Sequence, residues 1–281
     1  MLWETSEESI GTRAPIAPRL VAVVQTLEAP MTWLSLGFEC VTSTTAVFAL
    51  FGVAGGALTT VAGMGGGLFL VLSLSLLTNP TQALAITAPA LLLSNAHRAV
   101  LFRRELEGRI ALRFAAGAAP AALLAGSAIS RLPQGVVQAA MLALTSLALL
   151  RARGIVSLSA RPRAFVPLSA LVGGLSAAAG AGGFLVAPLL FSLGLTGSRY
   201  IATGAACAVV LHVARVAGYG VGGLLTTSHW SASAWLFAGL AAGNVFGRRL
   251  RGKVTRELET RLELGALIVC TTLGVLGIGL R

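Results

Sequence analysis

Two glycine clusters in otherwise apolar stretches occupy equivalent places in two halves of this chain. The first cluster is Val61-Ala-Gly-Met-Gly-Gly-Gly-Leu68, and the second is Ala178-Ala-Gly-Ala-Gly-Gly-Phe184. At an offset of 116 residues, the equivalent pairs are Gly65 and Ala181, Gly66 and Gly182, Gly67 and Gly183, and Thr87 and Thr203. Interruptions at matching positions of two halves are typical of membrane proteins whose binding site is built from broken helices.

The composition requires a membrane for such a chain to fold. Of 281 residues, 56% are hydrophobic and only 11% are charged, whereas a soluble domain has about 25% charged residues. A segment that spans a membrane must satisfy its own backbone hydrogen bonds, and the apolar runs here have the length of spanning helices. We therefore predict an all-α polytopic membrane protein.

Positive charge is concentrated in short segments between the apolar runs. The formal net charge is +11, and arginine supplies nearly all of it, because the chain has one lysine and no aspartate. The basic loops are 103–113, 151–163 and 248–261. Such loops mark the cytoplasmic side of a membrane protein, so we predict that all three are cytoplasmic. We expect no nucleic-acid partner, because no soluble basic module is present.

No residue pattern predicts a metal centre, a cofactor or an enzymatic site. Cys40, Cys207 and Cys270 are isolated in apolar context, without the spacing of metal ligands or of a disulfide framework. The chain has no HExxH pair and no GxSG-type nucleophile turn. We predict no cofactor, no metal and no catalytic residue.

The order of apolar runs divides the chain into two transmembrane repeats. The predicted parts are an N-terminal tail over 1–30, a first repeat over 31–150, a basic cytoplasmic linker over 151–163 and a second repeat over 164–281. The first repeat begins with an extra span at about 31–50, which carries Glu39.

Each repeat is predicted to contain a helical hairpin that a glycine cluster interrupts. The hairpins cover about 52–77, broken at Gly63–Gly67, and about 165–193, broken at Gly180–Gly183. Their arms have about half the length that crosses a bilayer core. The spans that follow are predicted at about 80–102, 110–130, 136–150, 198–223 and 231–247, with a final span that reaches residue 280.

The placement of the basic loops determines how the two hairpins enter the membrane. With all three loops in the cytoplasm, the first hairpin enters from outside and the second from inside. This is the inverted-repeat plan of many secondary transporters. We predict two inverted-topology repeats, each with a glycine-broken hairpin followed by three spanning helices.

The glycine breaks predict a ligand site near the membrane centre. Broken helices persist in hydrocarbon only when they are buried in protein or line a wet cavity. A half-helix N-terminus presents free N–H groups and partial positive charge, so two of them from opposite sides would bind a small oxyanion. The candidate residues are Gly65, Gly66, Gly67, Gly182 and Gly183. The alternative is that these glycines allow close helix packing.

Two arginines and two threonines in the spans after the hairpins are further candidates for substrate binding. An arginine within a span is costly and suits planar contact with an oxyanion, which favours Arg98 and Arg215. At the offset of 116, Arg98 aligns with Ala214, next to Arg215. Snorkelling to the interface is an alternative for Arg98. Thr87 and Thr203 would either contact substrate or bond to their own helices.

Three ionisable residues are candidates for coupling transport to protons. His97 and His212 lie in the same two spans as the arginines, and Glu39 lies in the leading span. Hydrogen-bonded packing is the alternative role for both histidines. An interfacial position is the alternative for Glu39.

The sequence resembles the TauE/SafE-type sulfite and sulfonate exporters over about residues 45–280. The resemblance rests on Gly63-Met-Gly-Gly-Gly67, on Gly180-Ala-Gly-Gly-Phe-Leu-Val-Ala-Pro188, on the threonine-bearing span after each cluster and on the basic loop after the first such span. The proline after the glycine cluster is present as Pro188, whereas its counterpart in the first half is Leu72.

This resemblance implies a membrane transporter of small sulfur-containing anions. It gives a site role to the glycine clusters, Thr87 and Thr203, whereas Arg98 and Arg215 rest on the membrane argument. We expect a secondary transporter of sulfite or an organosulfonate that works by alternating access in a plasma membrane, of the bacterial inner-membrane kind. The alternatives are a passive anion channel and a membrane-embedded enzyme. A homodimer through glycine-bearing spans is an option that no pattern singles out.

Overall fold

The computed structural model describes residues 43–62, 66–156, 162–180 and 182–251, together with isolated positions between 255 and 275. Glu39, Gly65 and the tail over 1–30 lie outside these residues, and what was expected of them stays a prediction. Within the described ranges the structure is helical and contains no strand. The helices are α1 Ser43–Ala62, α2 Gly66–Leu77, α3 Pro80–Leu101, α4 Gly108–Ala128, α5 Gln134–Ala152, α6 Phe165–Ala179, α7 Gly182–Ser192, α8 Gly197–Val221 and α9 Thr227–Arg251.

Among the residues that the structure describes, four helices are long and apolar enough to cross a membrane. Their spans are Pro80–Leu101, Gly108–Arg131, Gln134–Arg151 and Gly197–Val221. The helix α9 is longer than most at 25 residues, but polar residues such as His229 and Asn244 lower its mean hydropathy. The all-helical polytopic architecture agrees with the prediction from sequence, and each of these four spans begins and ends within a few residues of its predicted bounds.

The second hairpin has the predicted form. α6 ends at Ala179 and α7 begins at Gly182, so the predicted break at Gly180–Gly183 is confirmed. Gly180 ends α6 in the left-handed region at φ +75°, which glycine adopts at little cost, and its N–H donates to Ser176 O at 2.8 Å. With 15 and 11 residues, neither arm is long enough to cross a bilayer core.

The first hairpin differs from the prediction in its leading arm. α1 is one continuous helix of 20 residues, so the predicted end of a separate span at Leu50 and the start of the hairpin at Gly52 are wrong. Gly52 lies within this continuous helix. Its lack of a side chain allows close packing, because a Cβ there would overlap the backbone of α9 at Leu236 and Gly239. The returning arm α2 is short, with 12 residues.

A capped N-terminus starts α3 directly after the first hairpin. Asn79 Oδ1 accepts the N–H of Gln82 at 2.8 Å and the hydroxyl of Thr81 at 2.8 Å. Pro80 suits the first helical position, because the N–H that it lacks would have no partner there. The cap therefore determines where α3 leaves the hairpin.

Glycines bring the first arm of each hairpin into backbone contact with a long helix. A Cβ at Gly239 or Gly243 of α9 would overlap carbonyl groups of α1. In the same way, a Cβ at Gly117 of α4 or Gly173 of α6 would overlap the backbone of the opposite helix. Helices approach this closely only where no side chain separates them, and van der Waals contact then stabilises the pair.

Polar contacts define the relative direction of α3 and α9. Ser233 Oγ donates to Ile86 O at 2.7 Å, and further along both helices Asn244 Nδ2 donates to Ser94 Oγ at 3.0 Å. Residue numbers rise together along the contact, so α3 and α9 run in the same direction.

α4 and α8 form a second parallel pair. Gly126 lies against Gly218, and Ser130 Oγ donates to Gly222 O at 2.8 Å. Here too the residue numbers rise together along the contact. The two helices therefore run in the same direction and meet most closely near their C-terminal ends.

The loop after α3 is bonded to the first turns of α8. Glu107 forms an ion pair with Arg199, and its backbone N–H donates to Thr203 Oγ1 at 3.1 Å. The C-terminal end of α3 thus lies beside the N-terminal end of α8, so α3 and α8 run in opposite directions.

We predict that Gly173→Ala destabilises the protein and that Gly174→Ala does not. A Cβ at Gly173 would lie 2.8 Å from the Cα atom of Ala118, and overpacking of this kind costs about 1–3 kcal/mol. A Cβ at Gly174 meets nothing within 4 Å, and alanine favours a helix over glycine by about 0.5–1 kcal/mol. Thermal unfolding of the purified variants measures both effects. Equal melting temperatures would contradict the close α4–α6 contact.

Candidate functional site

The two glycine breaks meet at an internal cavity of about 100 Å³. Gly66 and Gly67 line it from the first hairpin, and Gly180 and Gly183 line it from the second. The other lining residues are Thr59, Leu91, Asn95, Arg98, Val186, Tyr200, Ile201, Gly204, Ala205, Ala208 and His212. The fold thus brings together two clusters that lie 116 residues apart in the sequence.

The helices α3 and α8 each present one face to this cavity. Leu91, Asn95 and Arg98 have the spacing of neighbours on one side of a helix. The face of α8 includes Tyr200, Gly204, Ala208 and His212. Because the two middle residues of that face are small, they leave room between the helices for the cavity.

The short helices α2 and α7 begin at the cavity. Their lengths are 12 and 11 residues. The N–H groups of a first helical turn have no partner within the helix, and the helix dipole adds partial positive charge at the same end. With the guanidinium of Arg98, these two ends make the cavity favourable for a small anion.

Asn95 and Thr59 add polar groups that the sequence analysis did not assign to the site. Asn95 Nδ2 donates to Leu91 O at 2.8 Å, and Thr59 Oγ1 donates to Gly55 O at 2.7 Å. The hydroxyl hydrogen of Thr59 is used within its own helix, whereas the Asn95 amide keeps its second N–H and its carbonyl oxygen for other partners. The position of Asn95 one turn before Arg98 is the sequence signal that identifies it.

A larger cavity of about 850 Å³ adjoins the first, and we call it the vestibule. The residues that line both are Thr59, Arg98, Tyr200 and Ile201. The vestibule is also lined by Thr60, His97, Leu101, Phe102, Phe191, Gly197, Asn244, Val245 and Arg248. It therefore extends from the site toward the C-terminal ends of α3 and α9, where two of the basic loops begin.

Toward the C-terminal end of α8, the helices around the site are closely packed. Tyr219 is fully buried, and its hydroxyl donates to Ala177 O at 2.6 Å. The close approach of Gly126 to Gly218 lies at the same end. The vestibule thus adjoins the site toward the N-terminal end of α8, and closely packed helices lie toward its C-terminal end.

Arg215 lies in this packed region and not at the cavity. Its side chain has no exposed surface, Nε donates to Tyr219 Oη at 3.1 Å, and Nη1 lies 3.2 Å from His212 Nδ1. Nη2 has no hydrogen-bond partner within the described residues. One residue along a helix turns a side chain by about 100°. Arg215, one position beyond the equivalent of Arg98, therefore points to another side of its helix.

Neither predicted threonine lines the cavity. Thr87 is fully buried, and its hydroxyl donates to Ala83 O at 2.7 Å, which is the own-helix alternative. Thr203 is also fully buried and accepts the N–H of Glu107. Both threonines therefore make packing contacts. Thr87 bonds to its own helix, and Thr203 bonds to the loop after α3.

The remaining candidates divide between cavity, vestibule and packing. Gly183 lines the cavity, whereas a Cβ at Gly182 would lie 2.6 Å from Ser176 Oγ, so Gly182 serves close packing within the hairpin. His97 lines the vestibule, and His212 lines the cavity.

Arg151, the first residue of the predicted basic linker, supports the second glycine break. It lies in the last turns of α5, where its Nη1 donates to Phe184 O at 3.3 Å. Its guanidinium also lies over the ring of Phe184, 5.3 Å from the centroid. Part of the positive charge near this linker therefore lies against the first turn of α7, where it contacts Phe184.

Apolar spanning helices around an internal polar cavity define a multi-pass membrane protein. In comparisons with known proteins, the model of the family "TauE: Sulfite exporter TauE/SafE" matches residues 48–276. The chain belongs to this family, as the resemblance in sequence indicated. Neither the curated proteins nor the solved structures that were compared give a match. Membership implies transport of sulfur-containing anions, and the family is one of transporters and not of enzymes.

We predict that the thiol introduced by Asn95→Cys reacts with a water-soluble thiol reagent much faster than the thiol introduced by Thr87→Cys. Both positions lie on α3, but Asn95 lines the cavity and Thr87 is fully buried. Reaction requires an accessible thiolate. The measurement is the labelling rate in a variant whose three native cysteines are replaced by alanine. Equal rates at the two positions would contradict the placement of the cavity.

Proposed function

We propose that this protein is a secondary transporter that carries sulfite or a small organosulfonate by alternating access. The observation that supports this most is the cavity at which both hairpin breaks meet beside Arg98. Backbone N–H groups, two positive helix ends and a guanidinium supply the hydrogen bonds and charge that an oxyanion needs when it leaves water.

The volume of the cavity limits the proposed substrate to a small anion. A bound water needs about 10–15 Å³ on the same scale, so about 100 Å³ corresponds to about seven to ten such volumes, which is room for a small anion. Sulfite fits this room. A short organosulfonate fits when its carbon chain extends along Ile201, which lines both cavities, toward the vestibule.

We further propose that the two halves of the chain are inverted repeats around this site. α1 packs on α9 as α6 packs on α4, and α3 pairs with α9 as α8 pairs with α4. When the two halves are exchanged, each of these contacts becomes its counterpart in the other half, as a two-fold axis requires. The exchange also interchanges α3 and α8, which run in opposite directions, as an axis in the membrane plane requires.

Alternating access is supported by a difference between equivalent ends of the two helix pairs. The vestibule separates the ends of α3 and α9, whereas the equivalent ends of α8 and α4 are packed at Gly218 and Gly222. In a protein built of inverted repeats, interchanging these two local arrangements produces the conformation that opens to the other side. The site itself stays in place between the hairpins.

We place the vestibule on the cytoplasmic side of a plasma membrane, so that the structure corresponds to an inward-facing conformation. Positive charge is concentrated at this end, where Arg103 and Arg104 follow α3 and Arg248 and Arg249 lie near the end of α9. Arginine is retained on the cytoplasmic side of short loops.

The experiment that tests this function is transport by the purified protein in lipid vesicles. A carrier gives saturable sulfite uptake that is accelerated by sulfite inside the vesicle, and a passive channel gives neither. Sulfate, sulfoacetate, taurine and acetate as competitors then define the substrate class. Absence of sulfite and sulfonate transport would contradict the proposal.

Within the same assay, we predict that Arg98→Gln raises the KM for sulfite by about tenfold to a hundredfold, because a hydrogen bond to a charged group contributes about 1.5–3 kcal/mol. Arg98→Lys retains the charge, so its KM for sulfite should lie between those of the wild type and Arg98→Gln. Arg131→Gln is the control, since Arg131 is exposed and does not line either cavity. An unchanged KM in Arg98→Gln would remove this residue from the site.

We predict the sidedness of two exposed positions in intact cells. A membrane-impermeant thiol reagent should label Ser228→Cys, which precedes most of α9, and should not label Glu105→Cys, which lies in the loop after α3. Disrupting the cells should expose Glu105→Cys to the reagent. The opposite pattern would place the vestibule on the outer side and reverse the proposed topology.

A further inference from the structure

The contact between Arg215 and His212 determines where the imidazole carries its hydrogen. Arg215 Nη1 lies 3.2 Å from His212 Nδ1. Arginine has only donors and stays protonated in proteins, so this contact is a hydrogen bond when Nδ1 accepts. A neutral imidazole whose Nδ1 accepts carries its hydrogen on Nε2. The contact therefore selects one of the two tautomers.

The other edge of the same ring is left for the cavity. His212 lines the cavity, whereas Arg215 does not. Since Nδ1 is directed to Arg215, Nε2 lies on the opposite side of the ring. No residue among those described donates to it or accepts from it. An N–H at Nε2 is thus available to a ligand.

Arg215 is itself held in place by a buried tyrosine. Its Nε donates to Tyr219 Oη at 3.1 Å, and its guanidinium lies 5.6 Å from the centroid of the tyrosine ring. Tyr219 Oη in turn donates to Ala177 O at 2.6 Å, three residues before Gly180. The chain of contacts therefore joins His212 to the arm that precedes the second glycine break.

We propose that Arg215 is a positioning residue that holds His212 in the neutral tautomer with its hydrogen on Nε2, as a fixed donor to the bound anion. The proposal rests on the anion site proposed above. It gives His212 a role other than carrying a coupled proton, and it gives Arg215 a role in the site without contact with the substrate.

The charges around His212 favour its neutral form. A hydrogen on Nδ1 would meet the N–H groups of Arg215, and a second buried cation beside the first is unfavourable. From α3, Arg98 adds another positive charge to the cavity, and from α8 the ionisable neighbour at the cavity is Tyr200. α6 and α7 contribute no ionisable side chain to its described lining, and no carboxylate is part of that lining.

The tautomer can be measured by solid-state ¹⁵N NMR of the full chain in lipid. The protein has three histidines, and the signals of His212 are identified by their loss in His212→Gln. At pH 8, where an ordinary histidine is neutral, we expect the wild type to show only the tautomer with hydrogen on Nε2. Arg215→Met should give a mixture, and Arg215→Lys should restore the wild-type spectrum. Hydrogen on Nδ1 in the wild type would overturn the proposal, whether or not sulfite is transported.

Transport by two variants at position 212 then tests the role of the donor. His212→Gln keeps one acceptor for Arg215 and one donor for the anion without an ionisable group, so we expect it to raise the KM for sulfite less than His212→Leu does. His212→Leu lacks the donor and should raise KM by about tenfold or more. Loss of transport in His212→Gln with sulfite binding retained would overturn the proposal, because it would make His212 a proton carrier.

Since Arg215→Met leaves a buried space and risks misfolding, a second variant tests the tautomer by the same NMR measurement. Tyr219→Phe removes one support of Arg215, and we expect its spectrum to show a mixture of tautomers.

Discussion

The backbone of an interrupted helix must find hydrogen-bond partners inside the membrane, and the rest of this structure depends on that requirement. Neither hairpin can expose its break to lipid, because an unpaired peptide group in hydrocarbon is costly. The fold places both breaks at one internal cavity, surrounded by α3, α8 and the hairpin arms. The same unpaired N–H groups that must be hidden from lipid then become the groups suited to bind an anion.

Glycine meets this requirement in two different ways. At Gly67 and Gly183 it borders the cavity, at Gly182 and Gly173 it allows neighbouring atoms to approach, and Gly66 does both. From the sequence alone, both a binding role and a packing role were open for the clusters. Both are present, at adjacent residues of one cluster, because successive residues of a helix face different sides. The packing glycines hold the hairpins against α4 and α9, and this support keeps the breaks in position.

The polar residues divide in the same manner. Arg98 and His212 reach the cavity, while Arg215 and Tyr219 lie behind it in the packed end of the bundle. The family to which the chain belongs implies transport of sulfur-containing anions. Two roles are proposed for the arginines, one that faces such an anion and one that orients a neutral donor, and these roles make different demands on the fold. The first needs access to the vestibule, and the second needs complete burial.

The sequence by itself determined the all-helical membrane architecture, the family, the second hairpin and the bounds of the four long apolar spans, since hydropathy and helix-breaking residues act over neighbouring positions. It did not determine that α1 continues through Gly52, because that glycine is explained only by its contact with α9. Only the tertiary structure decided which polar side chains share the cavity. A shift of one residue turns a side chain by about 100°, so Arg98 and Arg215 look equivalent in sequence and face different surroundings in the folded chain.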